Sequence, residues 1–372
     1  MKIELTMNIP CLQARINDSD PLWFLLDTGA QMTVIDKEAA RLLGLKTEGS
    51  FQGGGGGEGT IEISLVNDIT IKLADLSVTI ATAAVAPISS LLESYIGRRL
   101  HGVLGYDLIS QYVIEIDYAA KEITFSDPAN YHHSGKGEVL PMSIANNHPH
   151  IRAAIFHKSQ QAIDADFVVD TGASLALSMA TPFVDEHGFI KSGAATHQAF
   201  IIGAGGLGVT PVGRVERLQV GSFVIDRPVT YFSQDKGGAF AGLLGADGII
   251  GAEFLRRFTV IFDYTNEIMI LEPNHDFNEP YEGDASLLTG MLITAEGDDL
   301  KTFRIKSLLE GAPAAIAGLR EEDIIFAMDG KPASSLDIEQ LSRDLAKEKT
   351  VRLSIRRGSD HLNVVINITH PL

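Results

Sequence analysis

Two aspartates follow two short apolar runs, and the residues around them are the same. The two tetrapeptides are Asp27-Thr28-Gly29-Ala30 and Asp170-Thr171-Gly172-Ala173. A continuous apolar run, such as 23–26 or 167–169, is typical of a strand buried on both faces. Each carboxyl group is therefore delivered to a site with little water. One Asp-Thr-Gly can be a turn that leaves a strand, but two copies in matching surroundings indicate a function.

Two carboxyl groups in contact tend to share one proton, because they cannot both ionise easily at short range. The ionised member can take a proton from a water that attacks a carbonyl carbon, while the protonated member donates to the carbonyl oxygen. This chemistry hydrolyses a peptide bond without a metal, a cofactor or a covalent intermediate. Asp27 and Asp170 are the candidate catalytic residues.

The residues that follow each aspartate are the candidate supports of the two active-site loops. The hydroxyls of Thr28 and Thr171 can lock the loops together. Glycine and alanine allow a close approach of another backbone, because they add little or no bulk. The small residues in this role are Gly29, Ala30, Gly172 and Ala173.

The first 275 residues contain one long repeat. Asp170 follows Asp27 by 143 positions, and Gly251 follows Gly105 by 146. A repeat of this length exceeds the periods of solenoid proteins and predicts two copies of a whole lobe. An approximate two-fold axis between the lobes would bring equivalent strand ends together, and with them the two aspartates.

Each lobe also carries a glycine-rich segment, which can be a solvent loop or a mobile hairpin tip above a cleft. Neither segment lies between a strand and a long helix, which argues against a phosphate-binding loop. The glycines are Gly53, Gly54, Gly55, Gly56 and Gly57 in the first lobe and Gly203, Gly205 and Gly206 in the second.

Composition narrows the class of protein. Of 372 residues, 45% are hydrophobic and 21% charged, as in folded globular proteins. The net charge of −18 disfavours nucleic acid and anionic membranes as partners. The single cysteine, Cys11, excludes an internal disulfide. No His or Cys lies at ligand spacing near either aspartate, so a metal site is the weaker interpretation of the carboxylates, and no cofactor is expected.

The compartment stays open at this point. No stretch approaches the roughly 18 apolar residues that cross a bilayer. The first ten residues lack the apolar core of a signal peptide. Either the protein remains in the cytoplasm, or a signal peptide has been removed and the protein is periplasmic or extracellular.

The pattern of turns and periodic segments predicts three regions, 1–137, 138–275 and 284–372, with a polar linker at 127–137. The first lobe has a short helix capped by Asp36, and the second has one capped by Thr181. The last region does not repeat the sequence pattern of the first two regions. It predicts strands at 291–294, 302–307, 323–328, 351–355 and 362–368 and a helix over 335–347.

The first two regions resemble a retropepsin-type aspartic protease with both lobes fused in one chain, as in the pepsin-like arrangement. In that family an apolar pair, Asp-Thr/Ser-Gly-Ala/Ser and a later apolar-apolar-Gly occur in each lobe. The matching residues are Leu25-Leu26-Asp27-Thr28-Gly29-Ala30 with Val103-Leu104-Gly105, and Val168-Val169-Asp170-Thr171-Gly172-Ala173 with Ile249-Ile250-Gly251. The resemblance implies two β-barrel lobes with Asp27 and Asp170 as the dyad. It also makes the glycine-rich hairpins two symmetrical flaps.

The last region resembles a PDZ domain of the bacterial protease-associated type. The matching residues are Gly311-Ala312-Pro313-Ala314, Ala317-Gly318-Leu319, Asp323-Ile324-Ile325 and Asp329-Gly330. Such domains bind an extended peptide or a protein C-terminus by adding it as a strand. The resemblance places this groove between Gly290-Met291-Leu292-Ile293 and the helix that contains Leu341. The alternative is a module that only packs on the protease or holds an assembly together.

The sequence thus predicts a mainly β protein with two pseudo-symmetric lobes followed by a small α+β domain. The predicted function is an aspartic endopeptidase that acts on polypeptides, with a third domain that binds peptides or protein partners. The alternative is a non-catalytic adaptor that keeps the protease fold and binds peptides without cleaving them.

Overall fold

The computed structural model describes residues 1–242, 244–279, 285–347 and 349–369. The protein is mainly β, as predicted, with two lobes and a small C-terminal domain. The strands of the first half are β1 (Glu4–Thr6), β2 (Ile9–Ile16), β3 (Leu22–Leu26), β4 (Val34–Asp36), β5 (Thr47–Gly53), β6 (Ile61–Leu73), β7 (Leu76–Ala86), β8 (Gly102–Leu104), β9 (Val113–Asp117), β10 (Glu122–Ser126), β11 (Glu138–Pro141), β12 (Ser143–Ala145), β13 (His148–His157), β14 (Ser159–Asp170) and β15 (Leu177–Met179).

The second half continues with further strands and short helices. Its strands are β16 (Ala195–Gly203), β17 (Gly206–Arg214), β18 (Arg217–Val220), β19 (Phe223–Asp226), β20 (Val229–Phe232), β21 (Gly248–Gly251), β22 (Phe258–Asp263), β23 (Ile268–Pro273), β24 (Met291–Glu296), β25 (Thr302–Leu308), β26 (Ile324–Met328), β27 (Lys331–Pro332), β28 (Lys349–Arg357) and β29 (Asp360–Ile368). The α-helices are α1 (Lys37–Leu42), α2 (Ile88–Ile96), α3 (Tyr106–Ile109), α4 (Thr181–His187), α5 (Ala252–Leu255), α6 (Ala285–Thr289), α7 (Pro313–Ile316) and α8 (Ile338–Leu345). Short 3-10 helices cover Ala239–Ala241 and Ala333–Ser335.

Each lobe is built on one large sheet. The strand order in the first lobe is β1-β2-β3-β8-β4-β7-β6-β5, and a further pairing of β2 with β6 closes the sheet on itself. The second lobe has the order β16-β17-β20-β15-β21-β14-β13-β18-β19, with β12 added beside β13. Closure of a sheet removes unpaired edges and encloses a core of side chains.

A third sheet joins the two lobes. Its order is β10-β9-β22-β23-β11, so β9 of the first lobe pairs directly with β22 of the second. Buried side chains of these strands, among them Ile116, Val260 and Phe262, belong to one hydrophobic core that extends through both lobes. The lobes are therefore joined by hydrogen bonds and by a common core.

The short helices follow the predicted capping rules in part. The side chain of Asp36 accepts hydrogen bonds from the backbone N–H groups of Glu38 and Ala39, so Asp36 caps α1 as expected. The expectation for Thr181 is wrong. Ala180 occupies the cap position of α4, and the hydroxyl of Thr181 instead donates to the backbone carbonyl of Asp235 at 3.0 Å. A tertiary hydrogen bond thus replaces the local cap.

The C-terminal domain is a separate sheet of order β24-β25-β26-β28-β29, with β27 beside β26. Strands cover each of its five predicted segments, but the helix is shorter than predicted. It begins at Ile338, and Asp337 caps it by accepting from the N–H of Gln340. The predicted boundary before this domain, with Pro280 and residue 284, lies outside the described residues. Within the described parts of the chain, no α-helix is long and apolar enough to cross a membrane.

Candidate active site

The two aspartates sit at equivalent strand ends. In the first lobe β3 runs parallel to β8, and the backbone N–H of Asp27 donates to the carbonyl of Leu104 at 3.1 Å. In the second lobe β14 runs parallel to β21, and Asp170 pairs with Gly251. The residues directly before the two aspartates, 24–26 in β3 and 167–169 in β14, are apolar and buried, as the sequence pattern predicts for strands covered on both faces.

The strands with the sequence apolar-apolar-Gly support the active-site loops from behind. A Cβ on Gly251 would lie 2.6 Å from the carbonyl oxygen of Ala173, and one on Gly105 would lie 2.9 Å from that of Ala30. Next along the chain, the N–H of Tyr106 donates to the Ala30 carbonyl at 3.0 Å. Only glycine fits at such a close backbone crossing, which explains why both copies of the repeat end in this residue.

Thr28 and Thr171 connect the two loops across the pseudo-two-fold axis. The hydroxyl of Thr28 donates to the carbonyl of Val169 at 2.6 Å, and that of Thr171 donates to the carbonyl of Leu26 at 2.8 Å. Each hydroxyl also accepts the backbone N–H of the other threonine. Both side chains are fully buried. The four hydrogen bonds fix one loop against the other.

Gly29 and Gly172 allow the two carboxyl groups to meet. A Cβ on Gly29 would lie 2.6 Å from Cγ of Asp170, and one on Gly172 would clash with the carboxyl of Asp27 in the same way. Each glycine N–H donates to the aspartate of its own loop at 2.8 Å. Each carboxyl group thus packs against the glycine of the opposite loop, and the two aspartates are direct neighbours. The structure thus brings the two predicted aspartates together.

The protonation of the pair follows from this contact. Burial raises the pKa of Asp27 well above its ordinary value, and the adjacent Asp170 raises it further. Burial also raises the pKa of Asp170, against the hydrogen bond with Asp27, the N–H groups of Gly172 and Ala173, and the nearby His148. Such a pair holds one proton over a range in which isolated aspartates are ionised.

The glycine-rich hairpins touch each other at their tips. The N–H of Gly59 donates to the carbonyl of Gly205 at 2.9 Å, and the N–H of Gly205 donates to that of Gly56 at 2.7 Å. A Cβ on Gly59 or Gly205 would come within 2.5 Å of the opposite backbone. The glycines at these positions therefore permit direct backbone contact between the hairpins. Gly59 was not among the predicted flap residues, because it stands apart from the continuous glycine run.

A loop of the second lobe supports the first hairpin, and no motif in the sequence indicates this contact. The N–H of Ala239 donates to the carbonyl of Gly55 at 3.1 Å, and the N–H of Lys236 donates to Oε1 of Glu58 at 2.6 Å. Phe240 packs beside Gly56 and belongs to an apolar cluster that includes Ala173. This loop links the tip of the hairpin to the neighbourhood of the second active-site loop.

The predicted groove of the C-terminal domain is covered. The side chains of Met291, Leu292, Ile293 and Leu341 are buried. Helix α2 of the first lobe packs along β24 and against α8. At the end of α2, Gly97 has a φ of +65°, and a Cβ there would clash with Cγ2 of Ile338, the first residue of α8.

Further contacts hold the C-terminal domain on the protease lobes. A guanidinium N–H of Arg99, just beyond α2, donates to the carbonyl of Asp298 at 3.3 Å. Helix α6 packs on β16, one strand of the second glycine-rich hairpin. Leu287 and Leu288 share an apolar cluster with Tyr231 of the second lobe. The C-terminal domain thus touches both protease lobes.

Metal ligands are not grouped in the residues that the structure describes: no set of three or more His, Cys, Asp or Glu side chains there could hold an ion. Cys11 is a buried free thiol, and burial raises its pKa to about 11. A thiol with a raised pKa is a poor nucleophile and a poor ligand.

Two family models match this chain, and their matched segments do not overlap. The aspartyl protease family model matches residues 12–108 and 159–254, and the PDZ-domain model matches residues 287–356. A solved structure of an aspartic proteinase from Irpex lacteus is similar over 74% of this chain and 97% of its own, with 14% identity and a TM-score of 0.46.

Curated relatives match over a shorter stretch. Probable CtpA-like serine proteases of Staphylococcus aureus, for example those of strains COL and N315, are 30% identical over 106 residues. The match spans 28% of this chain and only 21% of each relative's length. The first segment matched by the aspartyl protease model contains Asp27, and the second contains Asp170. The chain belongs to the aspartyl protease family and carries a C-terminal PDZ domain.

Proposed function

We propose that this chain is an aspartic endopeptidase that hydrolyses peptide bonds with a water activated between Asp27 and Asp170. The observation that carries the proposal is the packing of each carboxyl group against the glycine of the opposite loop, combined with the raised pKa values of both aspartates. A pair that holds one proton can act as acid and base in the same step. Neither role is available to two separated, fully ionised aspartates.

The step uses one water and returns the pair to its starting state. The ionised carboxylate accepts a proton from water as the new C–O bond forms, and the protonated carboxyl donates its proton to the carbonyl oxygen. Collapse of the resulting gem-diol breaks the C–N bond. The carboxyl that accepted the water proton gives this proton to the leaving nitrogen, and the other carboxylate takes the proton of a gem-diol hydroxyl as the new carboxyl group forms. No covalent intermediate forms, in contrast to a serine-type mechanism.

The hairpin tips support a substrate of extended shape. Backbone hydrogen bonds join Gly56, Gly59 and Gly205 above the two lobes, and an extended peptide has N–H and C=O groups of the same kind to offer. We infer that the hairpins part to admit a polypeptide and close on it by backbone contacts. Backbone recognition of this kind tolerates many side chains.

The C-terminal domain is proposed to bind an extended peptide or a protein C-terminus along β24. Helix α2 lies against that strand, so a ligand in the groove has to displace α2. The alternative is a domain that only packs on the protease. The buried groove residues and the contact between Gly97 and Ile338 support this alternative. A peptide-binding measurement on the whole chain separates the two.

The proposed reaction is tested by a cleavage-site profile of a proteome-derived peptide library at several values between about pH 3 and 8. The expected result is hydrolysis with a bell-shaped pH dependence, since one proton must be present on the pair and only one. An active-site reagent that phosphonylates serine should leave the rate unchanged. If no peptide is cleaved at any pH while the protein is folded, the adaptor hypothesis takes its place.

A further inference from the structure

His148 is the neighbour of Asp170 across two paired strands. Strand β13 begins at His148, and β14 ends at Asp170. The antiparallel register sets His150 opposite Val168. The same register continued by two positions would set His148 opposite Asp170, and His148 acts electrostatically on that carboxyl group. Opposite residues of an antiparallel pair have their Cβ atoms about 4.5–5.5 Å apart on the same face of the sheet. The imidazole is therefore within reach of the carboxyl group of Asp170.

The imidazole is also connected to the first active-site loop. His148 is 6% exposed, and the nearby backbone of Gly29 favours the protonated ring and so opposes the effect of burial on the pKa of His148. The turn before it is held to the same loop. The amide of Gln31 donates to the carbonyl of Asn146 at 3.1 Å, and the amide of Asn147 donates to the carbonyl of Gln31 at 3.1 Å. Nδ1 of His148 is buried without a hydrogen-bond partner among the described residues.

The first lobe has an aliphatic side chain at the equivalent place. Cys11 lies opposite Leu25, so the register two residues further sets Ile9 opposite Asp27. Ile9 is 6% exposed and belongs to an apolar cluster with Leu25 and Cys11. An otherwise symmetric site therefore has an imidazole beside one aspartate and a hydrocarbon beside the other.

We propose that His148 is a positioning residue that makes Asp170 the ionised member of the dyad and leaves the shared proton on Asp27. A protonated imidazole, or its N–H dipole, stabilises an adjacent carboxylate, whereas an isoleucine does not. In the proposed reaction Asp170 then takes the proton of the water, and Asp27 gives its proton to the carbonyl oxygen. This inference rests on the proposed function, because it assigns the two roles within that reaction.

The titratable groups near the two aspartates include two histidines and a tyrosine. Burial lowers the pKa of His148, His150 lowers it further, and Asp170 opposes this change. The ring of His150 is itself paired with Asp166 at 2.8 Å. Asp170 is acted on by Asp27 and His148. The buried Tyr118 also responds to Asp170, which together with burial raises the pKa of the phenol.

The kinetic test is the pH dependence of kcat/KM for His148→Ile. Without the imidazole, ionisation of Asp170 is less favourable, so the acidic limb should move upward by about one pH unit. His148→Gln keeps a hydrogen-bond donor toward Gly29 without a titratable charge and should move the limb less. His157→Gln removes a histidine at the far end of the same strand and should leave the limb in place.

A mirror variant tests the asymmetry itself. Adding Ile9→His to His148→Ile places the imidazole beside Asp27, and the acidic limb should return toward its original position. An acidic limb that stays unchanged in His148→Ile, in a protein that still cleaves peptide, would overturn the inference. A protein that cleaves nothing at any pH would instead contradict the proposed function.

A titration that needs no turnover separates these two failures. The imidazole of His148 is followed by NMR in the intact protein, in Asp170→Asn and in Asp27→Asn. Loss of the charge of Asp170 should lower the pKa of His148. Asp27→Asn leaves Asp170 to ionise alone and should raise it. Equal values in the two variants would show that His148 does not distinguish the aspartates.

Discussion

Thr28 and Thr171 hold each other across the axis that relates the two lobes, each backbone N–H donating to the other hydroxyl at 3.1 and 3.0 Å. Every hydrogen-bonding group in this exchange is buried. The loops that carry the aspartates therefore cannot separate without leaving several polar groups unpaired. Stability and the geometry of the dyad depend on the same four hydrogen bonds.

Replacement of Thr171 by valine should lower both the stability and the activity. The variant leaves the N–H of Thr28 and the carbonyl of Leu26 without partners, which should cost about 2–4 kcal/mol in free energy of unfolding. Urea unfolding measures the loss. Thr171→Ser should recover most of it, and the exposed Thr79→Val should change stability by less than about 0.5 kcal/mol. A Thr171→Val protein as stable as the original would show that the exchange is not structural.

The contact between the hairpin tips should depend on Gly205. A Cβ there would lie 2.5 Å from the backbone of Gly57, so Gly205→Ala should push the tips apart. Hydrogen exchange at the amides of Gly59 and Gly205 should then become at least about tenfold faster. Gly208→Ala, whose Cβ would meet only a side-chain atom at 3.4 Å, is the matched control. Equal protection in both variants would mean that the tips are not in contact in solution.

The position of α2 on the C-terminal domain should limit access to its groove. Gly97 and Gly188 both follow helices with φ near +65°, at +65° and +63°, but only Gly97 faces another residue, Ile338. Either alanine variant should lose about 1–2 kcal/mol from backbone strain. Only Gly97→Ala should also strengthen binding of labelled peptides that end in a free carboxylate. Fluorescence polarisation on the whole chain measures this, and equal affinities for the two variants would mean that α2 does not cover the groove.

The dyad should make the protein less stable as the pH rises. Both aspartates have raised pKa values in the folded state, so the unfolded chain ionises first, from its ordinary pKa of 3.8 upward. The folded state then holds more protons, and the free energy of unfolding falls with pH until the folded pKa is passed. Asp27→Asn should remove this cost and be more stable by about 1–3 kcal/mol at pH 7. The difference should vanish near pH 3. Thermal unfolding at both values tests this, and an equal difference at the two would be inconsistent with a shared proton.

The dyad and its supports could be predicted because the chain contains them twice. Asp27 and Asp170 are recognisable from their repeat, and the buried strands before them follow from apolar runs alone. The cap of α4 was predicted wrongly because a tertiary partner, Asp235, competes for Thr181. Local rules describe what the chain does by itself, and a distant hydrogen bond can override them.

Contacts between one domain and another could not be predicted from the sequence of either domain. The support of Gly55 by Ala239 and the packing of α2 on β24 join segments that share no motif. A difference between the two copies of the repeat points to His148. The first lobe has Asn8-Ile9-Pro10 where the second has Asn147-His148-Pro149. Comparison of the two halves position by position marks this difference between the surroundings of the two aspartates.

The most direct measurement of the central claim is peptide cleavage by the intact protein and by Asp27→Asn and Asp170→Asn, prepared in the same way. Each variant should keep the far-ultraviolet circular dichroism of the original and lose at least about a thousandfold in kcat/KM, because one carboxyl cannot supply both acid and base. Asp107→Asn alters a half-buried carboxyl of the first lobe that hydrogen-bonds to Thr33, and this control variant should retain activity. Cleavage that persists in either dyad variant at the original rate would contradict the assignment of the reaction to Asp27 and Asp170.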